Sequence, residues 1–169
     1  MASVKEDVLS ALGALGVSYE LLEHAPVHTM EDCKAAEEAL GGVMPKNLFL
    51  TPRNHATHHL LIARADAPFR TARISRQLGV SRLSFATAEE LMEMLRTLPG
   101  AISPMGLLFD GEKKVRLAID RALRGEERLL FHPCVNTATL AVSGADFFER
   151  LLPALGHEAT YVDMEEDAE

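Results

Sequence analysis

Apolar residues near the start of the chain recur at helical spacing. Val4, Val8, Ala11, Leu12 and Leu15 share one face, Ser3 with Glu6 makes a capping box ahead of them, and Gly16 closes the segment. This predicts a first helix. Val17 to Glu23 alternates as a strand does, and Ala25-Pro26-Val27-His28 is irregular because proline and its predecessor resist helix. Thr29 then caps a helix that runs to Leu40 and stops at Gly41-Gly42. The β-compatible runs Asn47–Thr51 and His58–Ala63, joined through Pro52–Ala56, predict a hairpin. Thr71 and Thr87 open two short helices, the first ended by Gly79 and the second strengthened by Glu90, with a short strand at Leu83–Phe85 between them. Beyond the breaker-rich loop Leu98–Pro104, strands are expected at Met105–Phe109, Val115–Ile119, Leu129–Phe131 and Thr137–Val142. Ser143 caps a last long helix that ends at Gly156, and Glu158–Val162 follows as a strand.

The order shows no internal repeat, no linker and no sustained parallel βαβ rhythm, so it predicts a single α+β domain over residues 1–162. Its sheet is curved, mostly antiparallel and flanked by helices, with Leu12, Leu15, Leu48, Leu50, Leu61, Phe85, Leu91, Leu107, Phe147 and Leu151 in the core. With 169 residues, 47% hydrophobic and 25% charged, the composition is that of an ordinary globular domain, which excludes collagen, low-complexity disorder and a disulfide scaffold. No apolar run is long enough to cross a bilayer and MASVKEDVLSALG lacks a secretory pattern, so a cytoplasmic protein without membrane contact is expected. Cys33 and Cys134 have no CxxC or CxxH spacing and read as two reduced thiols.

The formal charge of −8 argues against a polyanionic partner, but the distribution of charge points the other way. Lys46 to Arg82 holds seven basic residues against the single acid Asp66, whereas residues 163–169, DMEEDAE, hold five acids and read as a solvated tail. A small basic face on an acidic body suits a local phosphate contact. P-loop, nucleophile-elbow, zincin and dinucleotide motifs are all absent, so no cofactor is expected. His55, His58 and His59 do not make a metal site on this reading: His58 and His59 project to opposite faces of a strand, and no carboxylate or cysteine stands nearby in sequence. His132 and Cys134 share a strand face but carry no nucleophile signature. Three strand ends carry polar groups beside breakers: Pro45-Lys46-Asn47, Gly100-Ala101-Ile102-Ser103-Pro104, and Phe131 to Thr137. Lys46, His132 and Asn136 are expected to converge on a pocket walled by the glycine-containing loop.

The stretches PKNLFL at Pro45–Leu50, QLGVSRLSFA at Gln77–Ala86, GAISPMGLL at Gly100–Leu108 and FHPCVNTATLAVS at Phe131–Ser143 occur in the order that marks one family. The chain resembles the YbaK/prolyl-tRNA-synthetase-associated editing superfamily, and within it the freestanding Ala-tRNA(Pro) deacylases. The resemblance implies a barrel-like sheet and a trans-editing hydrolase that cleaves the ester joining a wrong amino acid to the tRNA(Pro) acceptor end. It implies a catalytic role for Lys46, a GxxxP loop from Gly100 to Pro104, and pocket positions at His132 and Asn136. Asn47, Ala101, Ile102 and Ser103 complete the expected substrate-binding set, and the backbone around Ala101 to Ser103 is expected to cradle the amino acid and the developing oxyanion. Arg73 and Arg76 are the expected tRNA contacts, although the Arg-rich stretch Arg70 to Arg76 departs from the mixed-charge helix of the family. A monomer is expected, with prolyl-tRNA synthetase as a transient partner. Deacylation of Cys-, Ser- or Thr-tRNA, or a non-catalytic module that docks on tRNA or a synthetase, are the alternatives.

Overall fold

The computed structural model describes residues 3–27 and 30–165. Helix α1 (Val4–Ala14) starts as expected, with the Ser3 hydroxyl accepting from Glu6 N. Strand β1 is shorter than its pattern, Glu20–Glu23, because Val17 N is bonded back to Leu12 O at the end of α1. Helix α2 (Met30–Leu40) ends before Gly41, whose φ of +70° reverses the chain; the expected cap Thr29 lies outside the described residues. The hairpin forms from β2 (Lys46–Pro52) and β3 (His58–Ala63) with Leu48 opposite Leu61. Helix α3 (Thr71–Leu78), strand β4 (Leu83–Phe85) and helix α4 (Ala88–Leu95) follow. Thr87 and Glu90 make the expected capping box on α4, but Arg70, not Thr71, stands at the cap of α3, and it makes no side-chain bond there.

Two expectations fail in the middle of the chain. Met105–Phe109 is not a strand: Pro104 opens a 3-10 helix through Phe109, its first turn fixed by the Ser103 hydroxyl accepting from Met105 N. Phe85 is not core but 64% exposed, because β4 lies at the sheet edge. Strands β5 (Val115–Asp120), β6 (Arg128–Phe131) and β7 (Ala138–Ser143) lie within a residue or two of the expected places. The long last helix is broken into α5 (Gly144–Asp146), a π-helical turn (Phe147–Leu151) and α6 (Leu152–Leu155), with Pro153 unable to continue a regular hydrogen-bond ladder. Strand β8 is Ala159–Val162.

The strands make two sheets, not one closed barrel, which corrects the barrel-like expectation. One is antiparallel in the order β1-β7-β6; the other is mixed, in the order β4-β2-β3-β5-β8, with β3, β5 and β8 parallel to one another. Antiparallel pairs still outnumber parallel ones. The continuous apolar runs of β3 and β5 follow from burial on both faces. Leu60, Ile62, Leu117 and Ile119 pack into the main core with α1, α4 and the smaller sheet; Leu61, Ala63 and Ala118 pack with Ile74 of α3, Leu50, Val162 and Met164. Leu15 and Leu48 are only partly buried, and apart from Phe85 the other expected core residues are inside. Helix α2 covers the small sheet through Cys33 and Ala36. No helix of the described residues is long and apolar enough to cross a membrane.

Candidate active site

Where β2 begins, β6 ends and the loop after α4 passes between them, a cavity of about 390 Å³ opens. Lys46 and Asn47 enter from the start of β2, Pro99, Gly100 and Ile102 from the loop, and His132 and Asn136 from the β6–β7 connection. Three segments far apart in sequence therefore meet here. Val27, Cys33, Met44, Leu130 and Phe131 supply an apolar floor that polar-motif reasoning did not reach, since such residues look like any other core positions. Ala101, Ser103 and Pro104 are buried behind the cavity wall and do not line it. Their part is support. The Thr97 hydroxyl donates to Ala101 O at 2.8 Å, Ala101 N donates to Leu98 O at 2.9 Å, and Pro104 starts the following 3-10 helix. The Ala101 N–H is spent inside the loop, so of the backbone donors expected from Ala101 to Ser103 this one is committed.

Each polar group in the cavity has a defined state. The half-buried Lys46 donates from Nζ to Ala67 O, which holds the ammonium in place and, among the described residues, leaves two of its three donors uncommitted. Asn47 Nδ2 lies 3.4 Å from Pro45 O, while Oδ1 is buried without a partner. An acceptor stranded in this way marks an incomplete site. His132 donates from Nδ1 to Ala138 O at 2.9 Å, so its Nε2 keeps a lone pair. Burial pushes the His132 pKa down, the hydrogen bond to Ala138 opposes this, and nearby His24 adds to the lowering. His132 is therefore neutral at pH 7. Asn136 Nδ2 reaches toward Val27 O at 3.4 Å and stands 3.9 Å from where a Cβ on Gly100 would lie. Among the described residues, no carboxylate lines the cavity.

The thiols are not nucleophiles. Burial raises the Cys33 pKa and the neighbouring Glu37 and Asp32 raise it further; Cys134 is pushed up to about 12 by burial and does not line the cavity. His132 and Cys134 share no hydrogen bond. Of the expected tRNA contacts, Arg76 is exposed on the last turn of α3. Arg73 is engaged: Nε donates to Asp163 O at 2.8 Å and Nη2 donates to Glu165 O. The stretch read as a solvated tail thus begins with packed residues, Met164 being 2% exposed. Among the histidines, His59 is buried and bonded to Thr57, whereas His55 and His58 stand beside Glu90 of α4, a carboxylate that sequence proximity did not reveal.

The profile of the aminoacyl-tRNA editing domain matches residues 24–149 of this chain, a span that includes every polar cavity residue. The chain belongs to that family. Two relatives show the same extent of likeness: the prolyl-tRNA editing protein ProX of Acetoanaerobium sticklandii is 31% identical over 160 residues, covering 95% of this chain and 97% of its own. The prolyl-tRNA synthetase associated domain-containing protein 1 of Danio rerio is 31% identical over 150 residues, covering 88% and 81%. The fold recurs in a solved structure of a candidate trans-editing enzyme for prolyl tRNA synthetase, with a TM-score of 0.73, 19% identity and 99% of both chains covered. As an editing domain the chain is an aminoacyl-tRNA deacylase, which hydrolyses the ester between an amino acid and the tRNA 3′ end.

Proposed function

We propose that the protein acts in trans on mischarged tRNA(Pro) and removes alanine from it, with Lys46 as the catalytic residue. The observation that carries this reading is the cavity itself: one held ammonium, one unpartnered carboxamide oxygen and one neutral imidazole lone pair around an apolar floor. The relatives named for prolyl-tRNA supply the tRNA. An aminoacyl ester is already activated, so no covalent nucleophile is needed; positioning, charge stabilisation and proton handling suffice. Asn47 Oδ1 is the acceptor for the substrate's α-ammonium group. Lys46 Nζ places positive charge where the carbonyl oxygen becomes an oxyanion in the tetrahedral intermediate. His132 Nε2 accepts a hydrogen bond from the ribose hydroxyl or from the attacking water and keeps it oriented. Gly100, with Asn136 behind it, leaves room for a small side chain, and Arg76 meets the phosphates near the acceptor end. Deacylation measured with the purified protein against Ala-, Cys-, Ser-, Thr- and Pro-charged tRNA(Pro) tests this. Fastest release of alanine with proline spared is expected; preference for another amino acid overturns the alanine assignment, and no release from any of them overturns the enzymatic reading.

A further inference from the structure

A second cleft, of about 750 Å³, shares no lining residue with the editing cavity. At its edge His55 Nδ1, His58 Nε2 and a Glu90 carboxylate oxygen lie within 4.8 Å of one another. We propose that these three groups are the protein ligands of a zinc-class divalent cation, with a fourth coordination position open to the cleft. The donor set is two imidazole nitrogens and one carboxylate oxygen, the mixture that suits Zn²⁺ and Co²⁺; Ca²⁺ and Mg²⁺ demand more oxygens. Around a tetrahedral ion with bonds of about 2.0–2.1 Å, ligand atoms stand about 3.3 Å apart. His55 Nδ1 already lies 3.0 Å from Glu90 Oε2, and His58 Nε2 is in contact with the same oxygen, so a modest outward adjustment admits the ion.

The ligands are also held from behind, as ligating groups must be. Thr87 N donates to Glu90 Oε1 at 3.0 Å, through the capping box that starts α4. The His58 ring stacks on Phe49 with centroids 5.6 Å apart. His55 sits at the end of a tight turn, its N–H bonded to Pro52 O at 2.9 Å and its φ at +54°. Glu93, Glu112, Asp110, Lys113, Lys114 and Arg116 also line the cleft; Lys114 is paired with Glu112 at 3.0 Å and Asp110 with His157 at 2.9 Å. With charges of both signs around the rim, affinity must come from ligation and not from a general negative field. A bound ion would clip the β2–β3 hairpin to the first turn of α4, outside the cavity and off the path of ester hydrolysis.

Titration of the untagged protein with Zn²⁺ by calorimetry, and with Co²⁺ by the visible absorption of tetrahedral cobalt, tests the proposal without any activity readout. A saturable 1:1 complex of micromolar or tighter affinity is expected, together with a higher melting temperature that Mg²⁺ does not reproduce. Glu90→Gln keeps an acceptor for Thr87 N and so keeps the helix cap; His55→Asn changes an exposed residue to one that tolerates positive φ. Each is expected to weaken binding about 100-fold or more, beyond the loss usual for an outer-shell partner, and to leave metal-free melting nearly unchanged. If Glu90→Gln fails to fold, His55→Asn alone decides. Binding only at millimolar Zn²⁺, or binding that survives His55→Asn, overturns the site.

Discussion

Lys46 bears the most weight of any single residue. Its ammonium contributes one hydrogen bond to Ala67 O, a bond whose net worth to folding is about 1 kcal/mol. On the proposed reading its worth to the reaction is larger, because a donor aimed at a developing oxyanion accounts for about 10²–10³ in rate. Lys46→Ala is therefore expected to cut deacylation of every aminoacyl-tRNA by at least about 100-fold while the melting temperature drops only a few degrees. Parallel rate and melting measurements check this, and full activity or global unfolding would show the wrong residue has been assigned. Lys46, Asn47, His132 and Asn136 were legible only together: each alone is an ordinary turn or strand-end residue, and it is three breaker-flanked strand ends in the order of the family that pointed to one pocket. Glu90 was not legible as a companion of His55 and His58, since its capping-box spacing already explains it and the fold alone decides what its second carboxylate oxygen faces.

At the scale of elements, the loop from Thr97 to Pro104 sets the size of the cavity. A Cβ built on Gly100 meets only Asn136 Nδ2, at 3.9 Å, so the folded protein accepts alanine there without strain. The added methyl instead takes space from the substrate. Gly100→Ala is expected to lower Ala-tRNA(Pro) hydrolysis several-fold with unchanged melting, as steady-state kinetics beside a thermal scan would show. Pro104 is buried at the start of the 3-10 helix and restrains the loop's far end. If the enzyme removes alanine and spares proline as proposed, Pro104→Ala is expected to relax that exclusion, seen as a rise in Pro-tRNA(Pro) hydrolysis relative to Ala-tRNA(Pro), because an added methylene in a roomy pocket is worth only about 1–3 kcal/mol and a stiff wall filters better. The same stretch shows why pattern reading misplaced an element. Met105 to Phe109 is apolar enough for a strand, but Pro104 at its first position and the Ser103 cap commit the backbone to a tight helical turn. Phe85 misled for a related reason: alternation says which residues share a face, not whether an edge strand has anything above that face.

For the whole molecule, charge and acid response follow from how the segments lie together. The basic stretch is partly tied up by the rest of the chain: Arg64 pairs with Asp120 of β5 at 3.0 Å and with Glu165 at 3.2 Å, and Arg73 is held by the carbonyls of Asp163 and Glu165. Affinity for tRNA is expected to fall with rising salt along a shallow slope of a few charges, and Arg76→Glu is expected to weaken all tRNAs alike without changing which amino acid leaves. Filter binding across a salt series checks both, and a slope near zero would refute them. Stability is expected to decline with acid in two stages. His132 and the buried His59, which burial pushes down to about 4, both have lowered pKa values, so the unfolded chain binds the extra protons first and stability drops as pH falls from about 6.5 toward the folded values. Asp110 follows at lower pH. Its burial pushes the carboxyl up, but hydrogen bonds from His157, Val115 N and Lys114 N outweigh that and hold it below its ordinary value, so its contribution fades as the carboxylate protonates. Chemical denaturation from pH 7 to pH 3 measures both stages.

The strand pairing also dictates when the enzyme can come into being. Lys46 belongs to a hairpin whose partners are neighbours in sequence, whereas β1 finds β7 across more than a hundred residues, Glu20 opposite Ala141. The carboxamide of Asn136 and the imidazole of His132 hang on that late closure, just ahead of β7. Local pieces of such a chain organise quickly and distant pairings slowly, so the amino-terminal half acquires shape well before it acquires chemistry. A chain cut short before β7 still carries the lysine, the imidazole and the carboxamide, but lacks the strand that joins β1 to β6 and whose Ala138 carbonyl holds the imidazole in place.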